Sequence, residues 1–240
     1  SGTVEMSESP YGSLQVVDRQ GVRYLLIDGG THTILNLATG ESLHDYTPVI
    51  ESTQLLFEEP GRALLVGLGG GIVARNFHET GWTIESVEID EKVAVMAERH
   101  FSLPPMHSTH IKDGRRFLVD DERSWDLIML DAFGSSSIPF HLVTREMFEL
   151  VADRLTEGGV VAINVECRAW NDPLVHALAA TLRTSFEHVW ALPIAEPPNS
   201  LGNLVLVASN RKGFGFDDDR LGDMGEALET GDSAHHWYVV

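Results

Sequence analysis

The stretch that decides the fold is Leu64-Leu-Val-Gly67-Leu-Gly69-Gly70-Gly71, followed after one helix length by Ser86-Val-Glu88-Ile-Asp90. The apolar run before Gly67 predicts a buried parallel strand, and glycines, which lack Cβ, allow a sharp turn close to a ligand. A helix over 72–78 would then present its N-terminal amides to that ligand. Glu88, about 20 residues beyond the first glycine, is placed to accept hydrogen bonds from a ribose diol. The pattern predicts a site for a nucleoside-containing cofactor.

The glycine spacing narrows the choice of cofactor. The nicotinamide fingerprint requires a third glycine where this chain has Ile72, and no Gly-Lys-Ser/Thr tripeptide of a phosphate-binding loop follows Gly71. What remains is a compact G-x-G-x-G at Gly67, Gly69 and Gly71, as in S-adenosylmethionine sites. The alternative is an ordinary tight strand-to-helix turn in an α/β protein that binds no nucleotide.

The composition limits the kinds of partner that the protein can bind. The 240 residues are 43% hydrophobic and carry 17 Lys and Arg against 36 Asp and Glu, a formal charge of −19. A nucleic-acid surface needs a basic stripe, so this balance argues against a nucleic-acid partner. The charge fits a cationic substrate such as an amine, and it fits a solvated acidic surface equally well.

Cysteine usage and hydropathy indicate an intracellular setting. Cys167 is the single cysteine, which excludes an intramolecular disulfide and is typical of a small core residue. No apolar run approaches the roughly 18 residues of a membrane span, and no signal peptide is visible. We therefore expect a cytoplasmic protein without a membrane partner.

The N-terminal part alternates between polar and apolar residues as β-structure does. Strands are predicted over 13–18, 22–27 and 33–37, and they form a small antiparallel β-domain over 1–45. A helix over 46–57 follows, with Pro48 in its first turn.

From residue 63 strands and helices alternate, which indicates a parallel sheet with helices on both faces. Predicted strands are 63–66, 84–89, 109–112, 126–131, 159–165, 188–193 and 203–208. Predicted helices are 72–80, 91–99, 114–119, 144–155 and 172–185. The last two strands form an antiparallel hairpin, and Thr156-Glu-Gly158-Gly159 suits a helix C-terminus before a strand. The fold class is α/β, Rossmann-like, of the class I methyltransferase type, over 46–212, with a mostly exposed, partly helical acidic extension over 213–240.

Ligands of such sheets sit beyond the carboxyl ends of the strands, where this chain places several acids. Asp113, followed by Gly114, is placed to receive an adenine amino group, and Asp131 would stand over the reactive end of the cofactor as a general base. The structural alternatives are a helix cap at Glu88, a plain Asp-Gly turn at Asp113 and a loop or helix cap at Asp131.

Histidines 32, 44 and 141 are predicted in loops near this site. They show no metal-ligand spacing, so no metal is expected. Ser135-Ser-Ser137 lacks a nucleophile elbow, and Trp170 and Trp190 suit core or rim positions.

Several motifs, in order, resemble the spermidine synthase (polyamine aminopropyltransferase) family from about residue 10 to residue 210. They are Ser9-Pro-Tyr11, Ile27-Asp28-Gly29, Tyr46, the glycine loop, Val87-Glu-Ile-Asp90, Asp113-Gly114, Asp126-Leu-Ile-Met-Leu-Asp131 and His141-Leu-Val-Thr-Arg-Glu-Met-Phe148. The resemblance implies an N-terminal β-domain, a Rossmann-like domain and a homodimer. It assigns Glu88 to the ribose, Asp113 to the adenine and Asp131 to the base, in a cleft covered by Tyr46 and the 132–141 loop.

The chain departs from the family pattern at several site positions. Gly70 stands where the family has the Asp that holds the amine of decarboxylated S-adenosylmethionine, and Gly134 replaces a second catalytic-loop Asp. Gly12 and His32 stand where the family has Gln, and the family's Tyr and Trp are not evident over 193–203. Losing two carboxylates from a cation site costs several kcal/mol, at about 1.5–3 for each charged hydrogen bond, which argues against polyamine synthesis.

The sequence therefore predicts a transferase that binds S-adenosylmethionine or decarboxylated S-adenosylmethionine and passes a methyl or aminopropyl group to a small acceptor, which an amine would fit. One alternative is an ordinary S-adenosylmethionine-dependent methyltransferase. The other is a nucleoside-binding or dimerising homologue without catalysis.

Overall fold

The computed structural model describes residues 2–104, 107–132, 139–167, 172–193, 202–213 and 238–239. Several predicted features lie outside these residues: Gly134, Ser135–Ser137, Trp170, the segment 194–201 and residues 214–237 of the C-terminal extension. No helix in the described part of the chain is long and apolar enough to cross a membrane.

The first sheet is small and antiparallel, with its strands in chain order. They are β1 (Gly2–Ser9), β2 (Gly12–Arg19), β3 (Val22–Ile27) and β4 (Gly30–Asn36). Sequence analysis missed β1 because its alternation is inverted: Val4 and Met6 are exposed, while Glu5 faces inward and bonds His100 Nε2 at 2.5 Å. β4 also contains His32, which had been expected in a loop.

The second sheet has the predicted mixed topology. Its order is β12-β10-β11-β9-β8-β5-β6-β7. The strands are β5 (Arg62–Val66), β6 (Thr83–Glu88), β7 (Ser108–Ile111), β8 (Trp125–Leu130), β9 (Leu155–Cys167), β10 (His188–Pro193), β11 (Gly202–Ser209) and β12 (Tyr238–Val239). The strands β5 to β9 pair in parallel, and β11 pairs antiparallel with both β9 and β10. The two-residue β12 adds a further antiparallel strand at the edge of the predicted hairpin.

Helices cover both faces of this sheet, as the alternation of elements predicts. They are α1 (Tyr46–Ser52), α2 (Ile72–Glu79), α3 (Glu91–His100), α4 (Gly114–Asp120), α5 (Arg145–Arg154) and α6 (Pro173–Leu182). Side chains of α1, α2 and α3 share one buried cluster, and those of α4, α5 and α6 share the cluster on the opposite face. Cys167 lies buried in the second cluster, the core position expected for it.

Two predicted elements are wrong in detail. The helix expected over 46–57 ends at Ser52 and continues as a 3-10 helix, Thr53–Leu56. The Ser52 and Thr53 hydroxyls bond the carbonyls of Val49 and Ile50 at 2.7 and 2.6 Å, a local competition that disturbs regular helix.

The segment Thr156-Glu-Gly158-Gly159, expected to end a helix, belongs to β9 instead. Helix α5 ends at Arg154, and the β8–β9 register shifts between Trp125 and Leu127. Leu155 pairs with Trp125 and Val160 with Leu127, so the intervening residues form an irregularity in the strand. Thr156 is held there by its hydroxyl, which donates to Asp126 Oδ1 at 2.8 Å.

The small sheet is positioned against the start of α2 and the length of α3. Apolar side chains of β2, β3 and β4 form one buried cluster with Ile72, Val93, Met96 and Phe101. This packing brings β4 next to the glycine loop. The domain boundaries at residues 45 and 212 stay a prediction.

Candidate functional site

The glycine loop, residues 67–71, connects β5 to α2 at the carboxyl edge of the sheet. Gly67 and Gly71 have φ values of 93° and 75°, which L side chains rarely adopt. A Cβ at Gly67 would also overlap the main-chain oxygen of Asp131. The glycines therefore permit a left-handed turn and a close approach between the ends of β5 and β8.

Glu88, at the end of β6, holds this loop in place. Its Oε2 accepts from the Leu68 N–H and its Oε1 accepts from the Asp90 N–H, both at 3.0 Å. Burial raises the pKa of the Glu88 carboxyl, and these main-chain donors act against that rise. Each carboxylate oxygen retains a second lone pair, so the geometry leaves room for the predicted ribose contact.

Asp113 forms the N-cap of α4, which neither the adenine role nor the alternative of a plain Asp-Gly turn had included. Its Oδ1 accepts from the Arg116 N–H at 2.8 Å, and its Oδ2 lies 2.7 Å from His141 Nε2. A Cβ at Gly114 would overlap Val66, so this glycine lets α4 start close to β5. His141 lies in a 3-10 helix, Phe140–Leu142, rather than in an irregular loop. The role of Asp113 toward adenine stays a prediction.

These residues enclose a cavity of about 370 Å³, called here the loop cavity. Of the predicted site residues, those on it are Gly67, Gly69, Glu88, Asp113, Gly114 and Asp131. Gly71 and Tyr46 line a second, smaller cavity of about 100 Å³ on the other side of the loop. This polar cavity is lined by His32, His44, Tyr46, Asp131, Asn164, Glu166 and Asn203, among others. Asp131 and Gly69 lie on both cavities, so the two meet at the end of β8.

Asp131 follows directly on β8 and is held by two donors. The Tyr46 hydroxyl donates to Oδ2 at 3.1 Å, and Asn164 Nδ2 donates to Oδ1 at 2.8 Å. Burial raises the pKa of Asp131 to about 6, although both hydrogen bonds lower it. Burial and the Asp131 charge raise the pKa of Tyr46. At neutral pH the pair is therefore a carboxylate and a neutral phenol, which is the arrangement of a base with an attached donor.

Sequence analysis missed the residues of β9 and β11 that hold Asp131 through hydrogen bonds. Asn164 is 4% exposed in the otherwise apolar run of β9, and Asn203 Nδ2 on β11 donates to its Oδ1 at 3.0 Å. A buried amide in a run of valine, alanine and isoleucine was the available signal, because such a group requires partners.

The two histidines of the polar cavity are buried, which favours their neutral form. Burial lowers the pKa values of His32 and His44. The ring of His44 lies 5.4 Å from that of Tyr46, and its buried Nε2 has no hydrogen-bond partner among the described residues. An unsatisfied buried nitrogen facing a cavity suits a ligand that donates a hydrogen bond.

Gly70 has no space for the carboxylate that the resemblance leads one to expect. Its N–H donates to Thr33 Oγ1 at 2.7 Å, and a Cβ there would lie 2.7 Å from Thr33 Cγ2 and 3.0 Å from the Phe101 ring. Thr33 and Phe101 thus fill the position. In this chain the wall at Gly70 is therefore apolar and hydroxylic instead of acidic.

Comparison with known proteins identifies the family. The family model described as Spermine/spermidine synthase domain matches residues 25–217. A polyamine aminopropyltransferase of Vibrio vulnificus is 34% identical over 175 residues, covering 68% of this chain and 56% of that protein. A probable polyamine aminopropyl transferase of Bifidobacterium longum is 29% identical over 195 residues, covering 77% of this chain and 43% of that protein. The chain thus spans about half the length of these relatives.

Solved structures support the fold. A probable spermidine synthase from Corynebacterium glutamicum aligns with a TM-score of 0.83 and 21% identity, over 98% of this chain and 90% of that one. Human methyltransferase-like protein 13, solved in complex with SAH, aligns with a TM-score of 0.60 and 24% identity, over 77% of this chain and 87% of that one. Both confirm the α/β fold with a mixed sheet.

Proposed function

The chain belongs to the spermine/spermidine synthase family, and we propose that it is a transferase that moves an alkyl group from an S-adenosylmethionine-type co-substrate to a small acceptor. The observation that carries this proposal is the meeting of two cavities at Asp131. One cavity has the size and acids for a nucleoside, and the other is small and lined by polar groups.

The loop cavity suits an adenosyl group. The Glu88 carboxylate is fixed at its wall by two main-chain donors, which orients its free lone pairs. Asp113 lies on the same cavity and offers an oxygen for an exocyclic amine. Gly67 and Gly69 keep the wall next to these acids free of side chains.

The transfer reaction needs a proton acceptor, and we assign this role to Asp131. A sulfonium co-substrate supplies a carbon that a nucleophile attacks while the thioether leaves with the bonding electrons. An amine or hydroxyl nucleophile loses one proton in this process, and the Asp131 carboxylate is placed to accept it at the boundary of the two cavities. Tyr46 keeps one oxygen of that carboxylate oriented through its hydroxyl.

The wall at Gly70 lacks the acid that would select decarboxylated S-adenosylmethionine, which makes full S-adenosylmethionine and methyl transfer the first candidate. In the family pattern an Asp at this position holds the amine of the decarboxylated form. Here that side chain is replaced by Thr33 and Phe101, which carry no negative charge to attract an ammonium or to repel a carboxylate. Aminopropyl transfer remains the second candidate, because two relatives carry the names of polyamine aminopropyltransferases.

Calorimetry with S-adenosylmethionine and its decarboxylated form, side by side, tests the co-substrate. We expect both to bind without a strong preference for the decarboxylated form. A hundredfold preference for that form, about 2.7 kcal/mol, would show that another acid holds its amine. Product analysis then separates the reactions: S-adenosylhomocysteine reports methyl transfer, and methylthioadenosine reports aminopropyl transfer. Binding without either product would favour the non-catalytic alternative.

A further inference from the structure

A chain of two amide side chains connects β11 to Asp131. Asn203 donates from Nδ2 to Oδ1 of Asn164 at 3.0 Å, and Asn164 donates from Nδ2 to Oδ1 of Asp131 at 2.8 Å. In the antiparallel ladder Val205 lies opposite Asn164, and Asn203 is two residues away on the same face. The register of β9 and β11 therefore brings the two amides together.

An asparagine side chain can present either of two chemically opposite faces. Its NH₂ group donates and its carbonyl oxygen accepts, and the two exchange when the amide rotates by half a turn. Facing an ionised carboxylate, the NH₂ group attracts and the carbonyl oxygen repels. Facing a protonated carboxyl, the carbonyl oxygen becomes the better partner, because it can accept the acid proton. The orientation of Asn164 therefore determines which form of Asp131 it stabilises.

In the orientation that the structure gives it, Asn203 disfavours this rotation. Its NH₂ group donates a hydrogen bond to the carbonyl oxygen of Asn164. Rotation of the Asn164 amide alone would bring the two NH₂ groups face to face. Asn164 is 4% exposed, so water cannot readily replace the lost bond. The donor from β11 thus fixes the amide that touches Asp131.

We propose that Asn203 is a positioning residue that acts through Asn164 and keeps an N–H donor, rather than a carbonyl oxygen, against the carboxylate of Asp131. The inference rests on the proposed function for the role of Asp131 as a base. The geometry itself exists without substrate, so it can be tested without turnover.

The other titratable groups around Asp131 lie on several elements, and one of them, Glu166, is the direct cross-strand neighbour of Asn203. On the polar cavity they are His32 of β4, His44 before α1, Tyr46 of α1 and Glu166 of β9. Across the loop cavity they include Glu88 of β6 and Asp113 at the start of α4. A pKa shift that Asn203→Leu also causes in a Glu166→Gln background therefore reports the amide chain.

The test is a titration of Asp131 by NMR in the full chain, with carbon-13 at the aspartate side-chain carboxyls and the Asp131 signal assigned by its loss in Asp131→Asn. In Asn203→Leu, which removes the donor at similar volume, we expect the pKa of Asp131 to rise by about one unit. That is the size of one hydrogen bond to a charged group. The acid limb of turnover should move by the same amount, while S-adenosylmethionine affinity stays constant.

Val207→Ala is the matched control, because Val207 lies on the same strand and face and is fully buried. We expect it to lower the melting temperature and to leave the pKa of Asp131 unchanged. Asn203→Ala serves in place of Asn203→Leu if the leucine variant does not fold. An unchanged pKa in a folded Asn203 variant, or an equal shift in Val207→Ala, would overturn the inference. A shifted pKa in a protein whose wild type makes no nucleoside product would support the amide chain and refute the proposed function.

Discussion

The loop cavity and the polar cavity share Asp131 but are built in different ways. Most walls of the loop cavity come from residues that follow parallel strands, namely the loop after β5, Glu88 of β6 and Asp113 after β7, and Tyr11, Ile27 and His32 of the small sheet complete it. The polar cavity instead joins β4, α1, β9 and β11, which are far apart in the chain. The acids of the first cavity therefore lie in local motifs, while the second cavity exists only once α1 and the antiparallel strands have packed around it.

This difference predicts that the two cavities bind different parts of the reaction mixture, which variants can test. Changes in the loop cavity should act on the affinity for the adenosyl co-substrate. Changes in the polar cavity should act on the acceptor and on turnover. Asp131 stands at the boundary, so its replacement should have the largest effect on the reaction.

The largest expected effect is that of Asp131→Asn on turnover. We expect a loss of about a hundredfold or more, the usual scale for a general base, with S-adenosylmethionine affinity preserved because shape and packing barely change. Turnover and calorimetry on the same preparation measure both. Wild-type turnover in this variant would remove the catalytic role of Asp131.

The same variant should change stability in a pH-dependent way. The folded pKa of Asp131 is raised to about 6 from its usual 3.8, so ionisation favours the unfolded state as pH rises. Asp131→Asn should therefore stabilise the protein at pH 8, by up to about 3 kcal/mol, and have no such effect below pH 4. A lower melting temperature at pH 8 would indicate that the carboxylate serves mainly as a cap.

Glu88→Gln tests the loop cavity at smaller magnitude. The amide keeps the size of the side chain but replaces one accepting oxygen by a donor, so both the loop and the predicted ribose contact lose a bond. We expect S-adenosylmethionine affinity to fall by about 10- to 150-fold, the equivalent of one hydrogen bond to a charged group. Glu149→Gln, at an exposed ion pair on α5 away from both cavities, is the control. Equal affinity in Glu88→Gln and wild type would remove the ribose assignment.

The pH dependence of turnover should report the ionisation of Asp131. Because the pKa of Asp131 is about 6 and the base must be ionised, turnover should be level above pH 7 and fall about tenfold per unit well below pH 6. Asp131→Asn should lack this limb. A limb at the same pH in both proteins would assign it to another group.

His44→Phe tests the polar cavity with the smallest expected effect. The ring shape is retained, and the buried Nε2, which has no partner among the described residues, is removed. We expect the KM for the acceptor to rise by about 2- to 12-fold, the size of one neutral hydrogen bond, with S-adenosylmethionine affinity unchanged. His78→Phe, a histidine outside both cavities, is the comparison variant. A loss of co-substrate affinity in His44→Phe alone would contradict the division between the cavities.

The sequence predicted the elements that local chemistry determines. The glycine loop, the acids after the parallel strands and the alternation of strands and helices are each visible within a few residues. The polar cavity was not predictable in this way. Asn164 and Asn203 are 39 residues apart, and nothing local states that their strands are antiparallel neighbours. His32 and His44 were predicted in loops near the site, but their meeting in one buried polar cavity depends on tertiary packing.

Gly70 is a second position at which the sequence reveals less than the structure. The sequence indicated a missing carboxylate, but the structure shows why none fits: Thr33 and Phe101, from β4 and the end of α3, occupy the position. The motif therefore identifies the missing carboxylate, whereas the packing identifies the side chains that occupy its place.

The most direct test of the transferase assignment is identification of the nucleoside product. Wild type and Asp131→Asn are incubated with S-adenosylmethionine or its decarboxylated form and a set of short primary amines, and S-adenosylhomocysteine and methylthioadenosine are quantified by mass spectrometry. We predict that wild type forms S-adenosylhomocysteine over many turnovers and that Asp131→Asn forms it at least about a hundredfold more slowly. Equal rates in the two proteins, or no nucleoside product from a wild type that binds S-adenosylmethionine, would contradict the account.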